Sequence, residues 1–243
     1  MSGGVDSSAS AIILKQRGYE VYGATMKLWE DGEAESSCCG LSDVSDAKRV
    51  CDVLGIPHYT LNLKKEFKLS VIDDFISEYS NCRTPNPCIE CNKHLKFGAM
   101  YKRAKELEID YIATGHYAKI EYSEEFKRYI LKKSNNKTKD QSYVLYNIPK
   151  ELLEKIIFPL SDFELKDEIR EITKEVNTRV ANKPDSEDIC FIPDGNYKKF
   201  LEENSKLKPQ EGNIVNSKSE VLGKHNGLYR YTIGQRKGLR YFE

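Results

Sequence analysis

The run Met1-Ser2-Gly3-Gly4-Val5-Asp6-Ser7-Ser8 leads directly into apolar residues at helical spacing. Two adjacent glycines let the backbone turn with its amides facing one point. Serine hydroxyls and a helix N-terminus add donors, so the segment suits an anionic phosphate. It lacks the Gly-Lys-Ser/Thr ending of a Walker A loop and the GxGxxG spacing of a dinucleotide site. An ordinary glycine turn capped by serine is the bland alternative, and the complete S-G-G-x-D-S-S run argues against it. Asp6 adds a carboxylate that could take Mg²⁺ or organise the loop.

The second centre is sulfur. Cys88 and Cys91 form a CxxC within Arg83-Thr84-Pro85-Asn86-Pro87-Cys88-Ile89-Glu90-Cys91-Asn92, ahead of a helix expected to start near Asn92. A helix N-terminus lowers a thiol's pKa, so this spacing predicts a Cys91 that is partly thiolate near neutral pH. Half a zinc site and a structural thiol pair are the competing readings; for the zinc one, no second CxxC or HxxxH supplies the other ligands. Cys190 stands in a second acidic, proline-bounded segment, Asp185-Ser186-Glu187-Asp188-Ile189-Cys190-Phe191-Ile192-Pro193. Cys38, Cys39 and Cys82 have weaker contexts, and Cys51 falls on an apolar helix face as a core residue.

Alternating strands and helices must position these groups. Helical spacing is expected over 7–18, 43–54, 65–79, 92–108, 141–160 and 164–176, and strands over 19–29, 58–63 and 111–117. A surface hairpin is expected over 118–133. This order implies an α/β fold, a parallel sheet with helices on both faces and ligands at the C-terminal strand ends. From about Pro193 the texture changes to short polar stretches with β-type segments at 213–215 and 229–233. The expected organisation is therefore a catalytic domain over 1–193 followed, over 194–243, by part of a small, mostly β central domain.

Composition adds bounds. Lys plus Arg and Asp plus Glu are both 38, so net charge gives no sign of nucleic acid; local clusters do, at Lys132, Lys133, Lys137 and Lys139 and at Arg236, Lys237 and Arg240. No apolar run approaches the roughly 20 residues of a membrane span. Seven cysteines at irregular spacing argue against a secreted disulfide framework. A soluble, cytoplasmic protein with reduced thiols is expected.

The first loop resembles the PP-loop of the N-type ATP pyrophosphatases. Jointly with Asn86-Pro87-Cys88-Ile89-Glu90-Cys91-Asn92, Thr114-Gly115-His116-Tyr117-Ala118, Lys139-Asp140-Gln141-Ser142-Tyr143, Asp188-Ile189-Cys190-Phe191 and Tyr231-Thr232-Ile233-Gly234-Gln235-Arg236-Lys237-Gly238-Leu239, it makes the chain resemble the tRNA-specific 2-thiouridylases from Met1 to about Arg240. The resemblance implies a PP-loop adenylating fold and ATP-dependent 2-thiolation of the wobble uridine of tRNA, a sulfurtransferase reaction. It implies ATP contacts at Met1, Ser2, Gly3, Gly4, Val5, Asp6, Ser7, Met26 and Gly115. Asn86, Pro87 and Cys88 would line the pocket of the flipped-out uridine, and His116, Lys139, Asp140 and Gln141 would meet the tRNA. Cys190 matches the persulfide carrier and Cys91 its partner, the nucleophile, with a persulfide donor protein upstream. Relatives also carry a strand before the loop and a C-terminal β-barrel. Neither is in this sequence, which is therefore read as a fragment.

A carbonyl oxygen is a poor leaving group, so ATP with Mg²⁺ would first adenylate O2 of the base, and sulfur would then attack C2. Base flipping exposes that ring carbon. Many relatives have Asp where this chain has Cys88, which leaves two chemistries open to the sulfurs: a Cys190 persulfide relieved by a Cys91–Cys190 disulfide, or an iron-sulfur cluster on Cys88, Cys91 and Cys190. The persulfide route ranks first. Two other readings are a PP-loop adenylating synthetase acting on a small molecule, which would not need the distant cysteines, and a non-catalytic tRNA- or nucleotide-binding fragment.

Overall fold

The computed structural model describes residues 1–28, 41–184 and 189–239 of the 243-residue chain. Helix α1 (Val5–Gln16) buries Val5, Ala9, Ile12 and Ile13, the i, i+4, i+7, i+8 set of one helical face. Strand β1 (Gly23–Lys27), helix α2 (Leu41–Leu54) and strand β2 (His58–Asn62) then form a βαβ unit, with β1 and β2 parallel from Gly23 opposite His58 to Lys27 opposite Asn62.

Two long helices follow, each containing a π segment. The first, α3, joins Lys64–Phe67, Lys68–Ile72 and Asp73–Ser80; the second, α4, joins Pro87–Glu90, Cys91–Ala99 and Met100–Glu106. α4 thus begins earlier than its apolar spacing suggests. The Asn86 side chain accepts a hydrogen bond from the Cys88 amide at 3.1 Å, and Pro87 occupies the first helical position, where a missing N–H costs nothing.

Strand β3 (Ile112–Ala113) pairs in parallel with β6 (Ile156–Ile157), and between them lies the antiparallel hairpin of β4 (Ala118–Ser123) and β5 (Arg128–Lys133). The helix expected over 141–160 is absent. Val144, Leu145, Ile148, Leu152, Leu153 and Ile156 are buried as the spacing implies, but Pro149 and Pro159 interrupt the backbone. Short 3-10 turns at Ser142–Val144 and Lys150–Lys155 carry the segment instead. Helices α5 (Lys166–Lys174) and α6 (Thr178–Ala181) lie against α1, with Ile169 fully buried beside Val5, Ala9 and Ile13. The architecture is mixed α/β with parallel strands. Its parallel pairing falls in two separate two-stranded sheets among the described residues.

The segment after 193 contains a helix that the polar texture hid. α7 (Tyr197–Asn204) is capped by Asn196, whose side chain accepts from the Lys199 amide at 3.1 Å. The expected β-type stretch at 229–233 is a 3-10 turn, Leu228–Arg230, held because the Tyr229 hydroxyl donates to Glu202 at 2.7 Å. The expected β element at 213–215 is there, as β7 (Glu211–Val215) paired antiparallel with β8 (Val221–Asn226). Leu201 and Tyr229 share one buried cluster with Phe67, Val71, Phe75, Leu95 and Phe191, so the core runs on across residue 193. No helix among the described residues is long and apolar enough to cross a membrane.

Candidate active site

The glycine loop enters α1 with Gly4 as the N-cap in extended conformation and no side chain capping the first turn. Those first amides have no intrahelical acceptor and carry the positive end of the helix dipole, which is the arrangement that receives phosphate. Ser7 and Ser8 hydroxyls donate to the Gly4 carbonyl at 3.1 and 2.9 Å and brace the turn, while Ser2 donates to Ser7 through both its amide and its hydroxyl. Met1 lies alongside β1: its amino group donates to the Ala24 carbonyl, and its own carbonyl accepts from Thr25 Oγ1 at 2.8 Å.

The two glycines do different work. Gly3 has φ of +66°, and a Cβ there would lie 2.3 Å from the Asp43 carbonyl oxygen. The fold itself therefore demands glycine at this position. At Gly4 φ is −99°, and among the described residues an added Cβ would meet only the Ser2 hydroxyl oxygen, at 3.6 Å. Nothing among the described residues demands glycine there. Asp6 Oδ1 accepts from the Tyr117 hydroxyl at 2.8 Å and from Lys166 Nζ at 2.6 Å, so this carboxylate organises the loop, while its Oδ2 accepts no hydrogen bond among the described residues. Gly115 approaches Asp6 so closely that a Cβ would sit 2.8 Å from the Asp6 carbonyl carbon, which brings the Thr114–Tyr117 segment against the loop.

The sulfur centre differs from its sequence expectation in one respect. Because α4 starts at Pro87, Cys91 lies in the second turn, below the unpaired N–H groups. Burial pushes its thiol pKa up, Lys96 offsets only part of this, and Cys88 adds to the rise. Cys91 is thus protonated more firmly than an ordinary thiol, contrary to the thiolate expected of a helix start. Cys88 occupies the terminal turn and is exposed. Cys91, Cys190 and Met26 all border the same apolar cluster, packed against residues such as Phe75, Leu95 and Phe191. Among the described residues no three His, Cys, Asp or Glu side chains converge as a metal site, so Cys88, Cys91 and Cys190 do not fit a cluster ligand set here. Cys51 is fully buried, as its helix face implies, and burial raises its pKa. Cys38 and Cys39 lie outside the described residues, as do Trp29, the 185–188 segment and Arg240.

Around this core the expected RNA-facing residues divide. His116 is buried among Phe97 and Phe158, and burial first and Lys96 second hold its pKa well below the usual value. Lys96 Nζ, which can only donate, lies 3.4 Å from Nε2, so the ring proton resides on Nδ1 and is donated to Thr114 Oγ1 at 2.7 Å. Gln141 clamps Tyr117, donating its amide to the Tyr117 carbonyl at 2.8 Å and accepting from the Tyr117 amide at 3.0 Å. Asp140 accepts from the Ser134 amide and the Ser142 hydroxyl at 2.9 and 2.7 Å. Lys139 is exposed on the same turn. Of the other basic residues, Lys132 is paired with Glu121 at 2.7 Å, while Arg236 and Lys237 are exposed.

Several site residues had no motif to mark them. Lys166 and Tyr117 hold Asp6, and Asp43, Asp46 and Lys183 form a charged cluster behind Gly3. Asn92 is buried and donates to the Val144 carbonyl at 3.0 Å, tying the CxxC helix to the turn after Gln141. Only their adjacence to recognised motifs could have signalled them.

A glycine loop and an uncapped helix start lead into a βαβ unit, and the α/β domain they open is of the HUP type. Residues 1–194 match the family model described as tRNA methyl transferase HUP domain, and residues 198–242 match the tRNA methyl transferase PRC-barrel domain. The chain belongs to the family of the tRNA-specific 2-thiouridylases. It is 54% identical over 242 residues to "tRNA-specific 2-thiouridylase MnmA" of Clostridioides difficile and 53% identical over 243 residues to the protein of that name in Clostridium beijerinckii, covering 98% of this chain and 67% of each relative. The Caldicellulosiruptor saccharolyticus protein of the same name is 52% identical over 244 residues.

Proposed function

We propose that this chain carries out ATP-dependent 2-thiolation of the wobble uridine of tRNA. The reading is supported by Met26, Cys91 and Cys190 all packing against one apolar cluster, Met26 being on β1, whose Ala24 and Thr25 bond Met1 of the glycine loop. The loop Met1–Ser7, with Gly115 behind it, holds the triphosphate of ATP. Mg²⁺ bound with ATP would neutralise phosphate charge, and Asp6, at the start of α1, is the carboxylate that would hold it. Uridine O2 attacks the α-phosphorus, pyrophosphate leaves, and C2 becomes an electrophile bearing an AMP leaving group.

Sulfur delivery follows from the two cysteines. The terminal sulfur of a Cys190 persulfide adds to C2 and AMP departs with the former O2. Cys91 then attacks the Cys190 Sγ, its thiol proton passing to the departing thiouridine as the sulfur–sulfur bond to the base breaks. A Cys91–Cys190 disulfide remains, which an external thiol reductant must reopen. The persulfide itself comes from a sulfur donor protein in the cytoplasm. Asn86, Pro87 and Cys88 lie at the start of α4, where the exposed Cys88 faces an incoming base. His116 stays neutral and supports the wall of the site, and Lys139 takes an RNA phosphate.

Mass spectrometry of tRNA nucleosides after incubation with ATP, Mg²⁺ and a persulfide donor tests the proposal. Exchange of one uridine oxygen for sulfur, dependent on ATP, is expected. A methyl gain, or an unchanged tRNA with the complete set of reactants, overturns it.

A further inference from the structure

Behind the glycine loop lies a charged cluster that the chemistry above does not use. Lys183 Nζ donates to the Gly3 carbonyl at 3.2 Å and to Asp43 Oδ1 at 2.9 Å, and stands 2.5 Å from Asp46 Oδ2. Asp46 is 1% exposed, and neither of its oxygens has a well-directed hydrogen bond among the described residues, so this buried carboxylate depends on ionic contact. Arg49 and Arg179 approach it at 3.5 and 4.0 Å, but both are more than half exposed and neither reaches Gly3. The backbone around Lys183 is anchored in turn, because Arg170 donates to the carbonyls of Ala181 and Lys183 at 2.5 and 3.0 Å.

We propose that Lys183 is a positioning residue for the glycine loop: its ammonium clamps the Gly3 carbonyl against Asp43 and Asp46 of α2, and so aims the amides of residues 4–7 at the phosphates of ATP. The second half of this statement rests on the phosphate reading above. The first half stands on geometry alone. A carbonyl turned backward onto a cation leaves the following amides facing the opposite way, toward the open side of the loop. Gly3, lacking a side chain, lets its backbone press on that of Asp43, so the loop touches α2 through both a steric and an ionic contact. Lys183 remains an ammonium at neutral pH, since its contacts with Asp43 and Asp46 outweigh the effect of burial and raise its pKa.

Hydrogen exchange of the amides of residues 3–7 and equilibrium binding of ATP with Mg²⁺, both on the whole chain, test the clamp. In Lys183→Met, exchange in the loop rises while exchange in the β4–β5 hairpin does not. The dissociation constant for ATP rises roughly 10- to 100-fold, the range for losing a hydrogen bond to a charged group. Lys183→Arg restores part of both. Asp43→Asn, which leaves Lys183 against Asp46, moves both in the same direction by less and serves where Lys183→Met does not fold. Unchanged loop exchange in these variants overturns the proposal. Raised loop exchange with unaltered ATP affinity upholds the clamp and overturns the phosphate reading of the loop instead.

Discussion

Replacing Gly4 by alanine separates the phosphate cradle from the fold. A Cβ at Gly4 has a normal backbone conformation and meets nothing among the described residues closer than Ser2 Oγ at 3.6 Å, so the folded protein can accept it. Alanine is a poorer N-cap than glycine, and the cost should be about 0.5–1 kcal/mol, a fall in melting temperature of roughly 1–4 °C for a chain of this size. ATP meets a different surface: the methyl group projects into the space before the helix start, where a phosphate oxygen must reach the amides. A displacement that costs one charge-assisted hydrogen bond, about 1.5–3 kcal/mol, weakens ATP binding roughly 10- to 100-fold. Thermal unfolding and calorimetric titration of ATP with Mg²⁺ on the same preparation give both numbers. Wild-type affinity in a Gly4→Ala protein that retains its stability refutes the reasoning. Gly3→Val is not the equivalent test, because that side chain collides with the Asp43 backbone whether or not ATP is present.

Three further outcomes are expected. Gly115→Ala places a methyl group 2.8 Å from the Asp6 backbone, and overpacking of this kind costs about 1–3 kcal/mol; it should lower both melting temperature and ATP affinity, whereas a silent substitution would contradict the close approach. Alkylation of Cys91 should have its half-maximal rate at a pH above the ordinary thiol value of about 8.5, because burial raises its pKa and the reactive thiolate forms only as pH climbs. A midpoint below that value, read by peptide mapping against pH, would restore the helix-start expectation. Lys139→Ala should weaken tRNA binding and reduce the dependence of log affinity on log salt by about 0.7–0.9, the contribution of one phosphate contact; an unaltered slope would remove Lys139 from the interface.

Much of this was legible because local patterns and tertiary needs coincide. The α1 pattern, the β1–α2–β2 unit and the 118–133 hairpin follow from spacing and turn residues that the packed structure has no reason to override. Where several signals competed, reading failed. Leu152, Leu153 and Ile156 repeat at a helical period because they point into one core, yet two prolines forbid the helix. α7 is short and its Tyr197, Phe200 and Leu201 face was outvoted by lysines and glutamates, although Asn196 marked its start. At the site, the loop and the cysteines announce themselves by type. The Cys91 environment does not, since it hinges on where Asn86 and Pro87 start the helix. Lys183 and Asp46 meet from 137 positions apart in the chain, and no spacing rule connects such residues.

The central claim is that Cys91 and Cys190 act as one sulfur-transferring pair. Its most direct test is a single turnover of Cys190-persulfidated protein with ATP, Mg²⁺ and unmodified tRNA, without reductant, followed by non-reducing peptide mapping. A Cys91–Cys190 disulfide that accumulates in step with thiolated uridine, and is lost together with product in Cys91→Ser, is the predicted result. Full thiolation by Cys91→Ser, or product formed with no Cys91–Cys190 linkage, would contradict the account.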